Sequence, residues 1–334
     1  MQPGDSKNQK LWDAIALIAR IGGLLAGIAG AGLVYQAASS KRDLSRNPPP
    51  GNLIDAGGVQ MHYYSLGEGG PTVILEALAG GFSPYWAWVQ RDLAETARTV
   101  SYDRAGFGWS GPDSKPQSLQ RTVENLHNLL VQASIPGPFV LVGHSIGGIY
   151  MRQFAQDYPS EVKGLVLLDA SHPEQSARYP AFEKESQSYL RVAPVLPTLA
   201  HLGVMRAYFS AGGEIDFSSL PALQKAQVKS FWSRPGYFES QRREALASAE
   251  IFSQAQRLGG LGDLPLMVIS RGKGAPPEWA ELQEELSALS SNSAHVTVPG
   301  ATHASLIFNP QHARAVSTAI LKVVEAAKAG KRLS

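Results

Sequence analysis

Gly143-His144-Ser145-Ile146-Gly147-Gly148 follows the apolar run Phe139 to Val142 and precedes a helical stretch that ends near Tyr158. The order is strand, sharp turn, helix. At such a turn the serine takes a strained backbone conformation, and small neighbours are required because larger side chains would collide across the bend. Gly143 and Gly147 meet that requirement. The bare Gly-x-Ser-x-Gly pattern carries little weight in a chain with 33 glycines. Its place between a strand and a helix gives it meaning. The plain alternative, a Gly-rich turn without chemistry, loses ground once partners for the serine are found elsewhere in the chain.

Around this turn, short β-rich runs alternate with helical stretches: Thr72–Leu75, Arg98–Tyr102, Phe139–Val142, Gly164–Leu168, Leu266–Ser270 and His295–Val298. That alternation predicts parallel βαβ units, hence an α/β fold with a mostly parallel central sheet and flanking helices. Leu53 to Asp55 and Val59 to Tyr64, joined through Gly57-Gly58, predict an antiparallel hairpin before them. From Ser171 to Gly262 the rhythm stops, and helix-like segments are broken by Pro180, Pro194, Pro197, Pro221 and Pro235. The segment is too long for a loop and predicts a helical cap over 171–262. The core then comprises 52–170 and 263–327, followed by a basic tail over 328–334. Aromatic residues such as Tyr179, Phe182, Tyr189, Phe231, Trp232 and Tyr237 pack the cap, and some can face a cleft, because open parallel sheets bind ligands at their carboxyl edge.

The amino-terminal segment, 1–40, is of a different kind. From Ala14 to Tyr35 every residue is apolar or glycine apart from one charge, Arg20, a length that matches a bilayer's hydrocarbon thickness. It predicts a membrane-spanning helix whose Arg20 can snorkel to the interface. A secretory signal competes, with small residues at Ala37 to Ser39 for cleavage and a secreted or periplasmic product. The anchor is favoured because the charged region before the apolar run is overlong. Residues 41–51, ending in Pro48-Pro49-Pro50-Gly51, are expected to be a stiff linker that separates the helix from a domain with its own core.

Charge and cysteine content exclude other chemistries. Lys and Arg number 30 against 28 for Asp and Glu, so no positive field exists to hold nucleic acid. With no cysteine, disulfides, thiolate nucleophiles and Cys-built zinc sites are ruled out.

A serine hydroxyl needs a base whose pKa lies near the working pH, which favours histidine. Among eight histidines, His303 stands out because it follows the last strand by the short turn Pro299-Gly300-Ala301-Thr302, where a loop can return to the serine. His172, which also follows a strand end, is the competitor. The acid should sit on a rigid strand end within reach of the imidazole. Asp169, after Gly164–Leu168, does so, whereas the turn Arg271-Gly272-Lys273-Gly274-Ala275 holds no carboxylate. Glu278 lies beyond that turn at a helix start, where a dipole role suffices to explain it. Asp169 is favoured over it. For the oxyanion, the N–H of Ile146 follows from the elbow geometry, and Leu78, in Leu75-Glu76-Ala77-Leu78-Ala79-Gly80-Gly81, is the candidate second donor.

From about Asn52 to Lys322 the chain resembles the α/β-hydrolase family, broadly its cap-bearing esterases and lipases. The elbow carries the resemblance together with Tyr102-Asp103-Arg104-Ala105-Gly106-Phe107-Gly108-Trp109-Ser110 and Leu167-Leu168-Asp169-Ala170-Ser171-His172-Pro173. It implies Ser145, Asp169 and His303 as a triad, with Leu78 and Ile146 as oxyanion donors. Glu76-Ala77 departs from the His-Gly of many relatives. The implied activity is hydrolysis of a small-molecule carboxylic ester through an acyl-enzyme, with no metal or organic cofactor; the aromatic cap and the anchor lean toward apolar acyl chains. Dehalogenases and epoxide hydrolases of this fold use a carboxylate where this chain has serine. A haloperoxidase, thioesterase or carbon–carbon hydrolase stays open, as does a non-catalytic sensor, because fold does not set the reaction.

Overall fold

The central strands are apolar on both faces because both faces are covered. In the computed structural model, which describes residues 5–213 and 219–333, eight strands form one sheet. They are β1 (Asn52–Asp55), β2 (Gln60–Leu66), β3 (Thr72–Glu76), β4 (Thr99–Tyr102), β5 (Phe139–His144), β6 (Val162–Leu168), β7 (Leu266–Arg271) and β8 (Ser293–Val298). Their order is β1-β2-β4-β3-β5-β6-β7-β8, with β2 antiparallel to both β1 and β4 and the remaining pairs parallel. All eight strands lie where the sequence predicts them, and the expected α/β architecture is the observed one.

The helices are α1 (Asp5–Arg46), α2 (Ala87–Leu93), α3 (Leu119–Gln132), α4 (Gly147–Asp157), then α5 (Gln175–Arg178), α6 (Pro180–Val192), α7 (Leu196–His201), α8 (Val204–Ser210), α9 (Ala222–Trp232) and α10 (Pro235–Ala255), and finally α11 (Pro277–Ser287), α12 (Ser305–Phe308) and α13 (Pro310–Ala329); α2, α3, α4, α11 and α13 flank the sheet. Alternate strand residues divide between two cores. Val73, Leu75, Val140, Val142 and Val166 pack with Val89 of α2 and Val316, Ile320 and Val323 of α13. Ile74, Leu141, Leu165 and Leu167 pack on the other face with Val123 and Leu126 of α3 and Ile149 and Phe154 of α4. Each such side chain, fully buried, contributes about 1.5–3 kcal/mol. Local signals fix the helix ends: Ser118 caps α3 by accepting from Arg121 N, and Asn309 caps α13 by accepting from Gln311 N and His312 N.

The chain steps from β3 to β4 on one side, then crosses to β5 on the other. A crevice opens at the carboxyl ends of β3 and β5, where such a switch occurs. Helices α5 to α10 lie over it as the cap.

Helix α1 departs from expectation in one respect. Its part from Arg20 to Arg46 contains an 18-residue stretch of mean hydropathy 1.5, long and apolar enough to cross a membrane, and Leu24, Leu25 and Ile28 are exposed. It does not end before the linker, however, but runs through residues 41–46. Its carboxyl half docks on the cap. A Cβ added to Gly32 would come within 2.5 Å of the Leu202 carbonyl oxygen. Buried Gln36 donates to the Ser233 carbonyl at 2.7 Å and accepts from Arg206 Nε at 2.9 Å. Arg206 also pairs with Asp43 at 2.6 Å. The apolar run therefore leads into a polar seam with the cap, and the expected separation of helix and domain is not observed.

Candidate active site

Ser145 sits at the turn between β5 and α4 with φ +57°, in the left-handed region that a residue with a side chain seldom occupies. Close packing holds it there. A Cβ on Gly143 would lie 2.4 Å from the Gly147 carbonyl oxygen, and one on Gly147 would lie 2.8 Å from both Glu76 Cγ and the Glu76 carbonyl oxygen. The turn is further tied by Ser145 N donating to Leu168 O at 3.1 Å and Ser171 N donating to Ser145 O at 2.9 Å. The Gly requirement deduced from the motif thus has a steric cause.

Asp169, directly after β6, is fully buried and also has a left-handed backbone, φ +41°. Its Oδ2 lies 2.5 Å from His303 Nδ1. The loop after β8 brings His303 over the elbow, where its ring centroid is 4.5 Å from that of His144. Among the described residues Ser145 Oγ forms no hydrogen bond with His303. Burial pushes the Asp169 carboxyl up. The hydrogen bond and charge of His303, the Arg271 guanidinium and the Trp279 indole outweigh burial and hold it well below the usual carboxylate range. Arg271 Nη1 is 2.7 Å from Oδ2, and Trp279 Nε1 donates to Oδ1 at 2.8 Å. Burial, with His303 alongside, keeps His144 neutral far below its ordinary value.

The alternatives fall elsewhere. Glu278 is exposed in the first turn of α11, and its neighbour Trp279 is the residue that turns inward to Asp169. His172 accepts from Glu174 N at 3.1 Å and has Nε2 3.5 Å from Glu285. His172, Glu174 and Glu285 are the one group among the described residues whose spacing could suit a metal ion, but Arg178 already pairs with both glutamates.

Leu78 and Ile146 flank the elbow, and neither N–H donates a hydrogen bond among the described residues. Beneath the Leu78 loop lies a cluster that sequence reading missed. Arg104, buried, pairs with Glu76 and with Glu244 of α10, and Glu76 also accepts from the Tyr102 hydroxyl. One guanidinium serves two buried acids. Burial therefore pushes Glu76 up to about 7, against the pull of Arg104. Arg104 stays cationic, because its two acids outweigh its own burial. Acidic and basic residues at the ends of apolar strands were the available signal, but their partners lie too far apart in sequence to be paired by inspection.

A cavity of about 310 Å³ opens onto Ser145 between the core and the cap. Ala79, Gly80 and Ile146 form its floor, and Phe182, Tyr189, Gln241, Ala245 and Phe252 of α6 and α10 its roof. A larger open depression, about 570 Å³, lies between Lys163, Gly259 and Arg332 and holds none of these residues. Ser145 and Ile146 line the smaller one.

A parallel sheet with a strained serine at the crevice over its carboxyl ends defines a class of hydrolase scaffold. The profile of the alpha/beta hydrolase fold matches residues 70–310, and the chain belongs to the α/β-hydrolase family. It is similar to an uncharacterized protein of Schizosaccharomyces pombe, 29% identical over 264 residues, which make up 75% of this chain and 46% of that protein. The match thus spans about half the length of that relative. Among solved structures, it resembles a thermophilic esterase from Thermogutta terrifontis (22% identity, TM-score 0.58, covering 81% of this chain and 97% of the other). It also resembles the Cif epoxide hydrolase from Acinetobacter nosocomialis (16% identity, TM-score 0.70, covering 87% and 96%). At such identities the likeness is one of fold.

Proposed function

We propose that the protein is a serine hydrolase that cleaves carboxylic esters through an acyl-enzyme, with Ser145 as nucleophile, His303 as base and Asp169 as acid. The observation that carries this reading is the pairing of a left-handed Ser145 with a 2.5 Å contact between buried Asp169 and half-buried His303 at the same crevice. His303 takes the Ser145 proton as Oγ attacks the ester carbonyl. Asp169 fixes the Nδ1–H tautomer and stabilises the imidazolium. The carbonyl oxygen, now negative, is met by the N–H groups of Leu78 and Ile146. The imidazolium then protonates the leaving alcohol. Water, activated by the same histidine, releases the acid. The aromatic and aliphatic roof of the cavity favours an apolar acyl chain, and the scheme uses neither metal nor organic cofactor.

The same proposal holds the enzyme at a membrane through α1. Cleavage at Ala37 to Ser39, as a signal peptide would require, cuts within the docked part of the helix, where Gln36 and Ser39 are buried. The intact anchor is therefore preferred to a secreted product.

The test is fluorophosphonate labelling and hydrolysis of a short p-nitrophenyl ester. Wild-type protein is expected to do both, and Ser145→Ala neither, while staying folded. His303→Ala should be equally impaired, because triad members act as a unit. A dead His172→Ala beside an active His303→Ala would replace the base.

A further inference from the structure

We propose that Arg104 is the positioning residue of the oxyanion loop and that Glu244, carried by the cap, completes its grip. The inference rests on the reading of Ser145 as nucleophile. Residues 77–80 leave β3 without strand pairing to orient them, so something else must aim their amides. Arg104 donates through Nη1 to the Ala77 carbonyl and through Nη2 to the Leu78 carbonyl, both at 2.9 Å. In a trans peptide the C=O and the following N–H point in opposite directions. Holding the Ala77 oxygen therefore turns the Leu78 N–H away from Arg104.

A guanidinium suits this task because its planar fork offers several donors from one rigid group. Two carbonyls and two carboxylates share it. Glu76 approaches Arg104 while its Cγ lies under Gly147 at the start of α4, so the same side chain touches both the guanidinium and the elbow. Glu244 approaches from the opposite part of the molecule. Its Oε1 lies 2.9 Å from Arg104 Nη2, and its Oε2 accepts from Gly80 N at 2.7 Å. Gly80 itself has φ +67°, and a Cβ there would lie 2.2 Å from Gln241 Nε2, so loop and cap helix are in contact at this point. The two ends of the loop are thus held by one pair: carbonyls 77 and 78 by Arg104, amide 80 by Glu244. The donor at Leu78 lies between. The consequence is that the loop's geometry is complete only with α10 seated.

The experiment compares Arg104→Lys and Glu244→Ala with wild-type full-length protein. It reads kcat and KM on one ester, the inhibition constant of a trifluoromethyl ketone, whose adduct carries an oxyanion, and the thermal midpoint. For Arg104→Lys, which keeps the charge but cannot reach all four partners, kcat is expected to fall about hundredfold or more with KM little changed. The ketone should weaken in proportion. Glu244→Ala, which leaves Arg104 paired with Glu76 and so guards against a variant that does not fold, should lose kcat and ketone affinity together by about tenfold. A fall in thermal midpoint with kcat and ketone binding within twofold of wild type would reduce both residues to structural pairs and overturn the proposal. A change confined to KM would also overturn it. If wild-type protein neither labels with fluorophosphonate nor turns over, the nucleophile reading fails and the proposal falls with it. Failure of the variants alone leaves that reading intact.

Discussion

Arg271 Nη1 lies 2.7 Å from Asp169 Oδ2, the same oxygen that His303 Nδ1 approaches at 2.5 Å. A cation thus occupies the end of β7, and it braces an acid that comes from the end of β6. The carboxylate is held from three sides, by Arg271, Trp279 and His303, with no solvent exposure.

Asp169→Asn keeps the shape and removes the charge opposite the imidazolium, and its amide can fix the wrong tautomer. The expected loss in kcat is about ten-thousandfold. Glu278→Gln, at an exposed helix start, should leave turnover within about twofold and stability within roughly 1 kcal/mol. Rates of both variants on one ester decide between the acids. A crippled Glu278→Gln beside a working Asp169→Asn would move the acid to the segment after β7.

Gly143→Ala places a methyl 2.4 Å from the Gly147 carbonyl oxygen, which is backbone and cannot swing aside. The elbow must open, at a cost of about 1–3 kcal/mol. Both thermal midpoint and turnover should fall, in contrast to Ser145→Ala, which loses turnover alone. A Gly143→Ala protein with wild-type kcat would show that the elbow is less tightly fixed than its contacts indicate.

Glu76 links stability to pH. Its folded-state pKa, about 7, lies above the ordinary value of 4.5, so the native state holds the proton more tightly than the unfolded one. The contribution is therefore fully present below about pH 4.5 and is lost as pH rises through about 7. Glu76→Gln, permanently neutral, lacks that loss. Thermal midpoints measured from pH 5 to 8 should show the variant gaining on wild type as pH rises. A constant difference between the two would assign the ionisation elsewhere.

Truncation distinguishes the two halves of α1. A chain beginning at Gly32 keeps Gln36 and Asp43 against Arg206 and Ser233, and its thermal midpoint should match that of the full chain. A chain beginning at Asn52 loses those contacts. Its cap should be destabilised by about 1–3 kcal/mol, the range for polar groups left without partners. Limited proteolysis mapped to 196–213 and 222–234 reads this directly, and equal resistance in the two truncations would show the seam to be incidental.

What the sequence disclosed and what it withheld differ in a physical way. Strands and elbow were legible because their signals are local: a run such as Phe139–Val142 followed by Gly-x-Ser-x-Gly declares itself within ten residues. Ser145, Asp169 and His303 each follow a strand, so topology alone predicts their convergence. The contacts of Arg104 with Glu244 and of Asp169 with Trp279 join residues more than a hundred positions apart, and no periodicity announces them. The docked face of α1 had a local trace that the apolar average concealed. Gly32, Gln36, Ser39 and Asp43 recur at helical spacing, a small and polar stripe within an apolar helix.

That stripe fixes a frame of reference. Whatever immobilises α1 also immobilises the cap, because Gln36, Arg206 and Asp43 form one continuous seam between them. Under the anchorage proposed above, the roof of the cavity over Ser145 is tied to the membrane through this seam, and through the Arg104–Glu244 pair so is the loop beneath it.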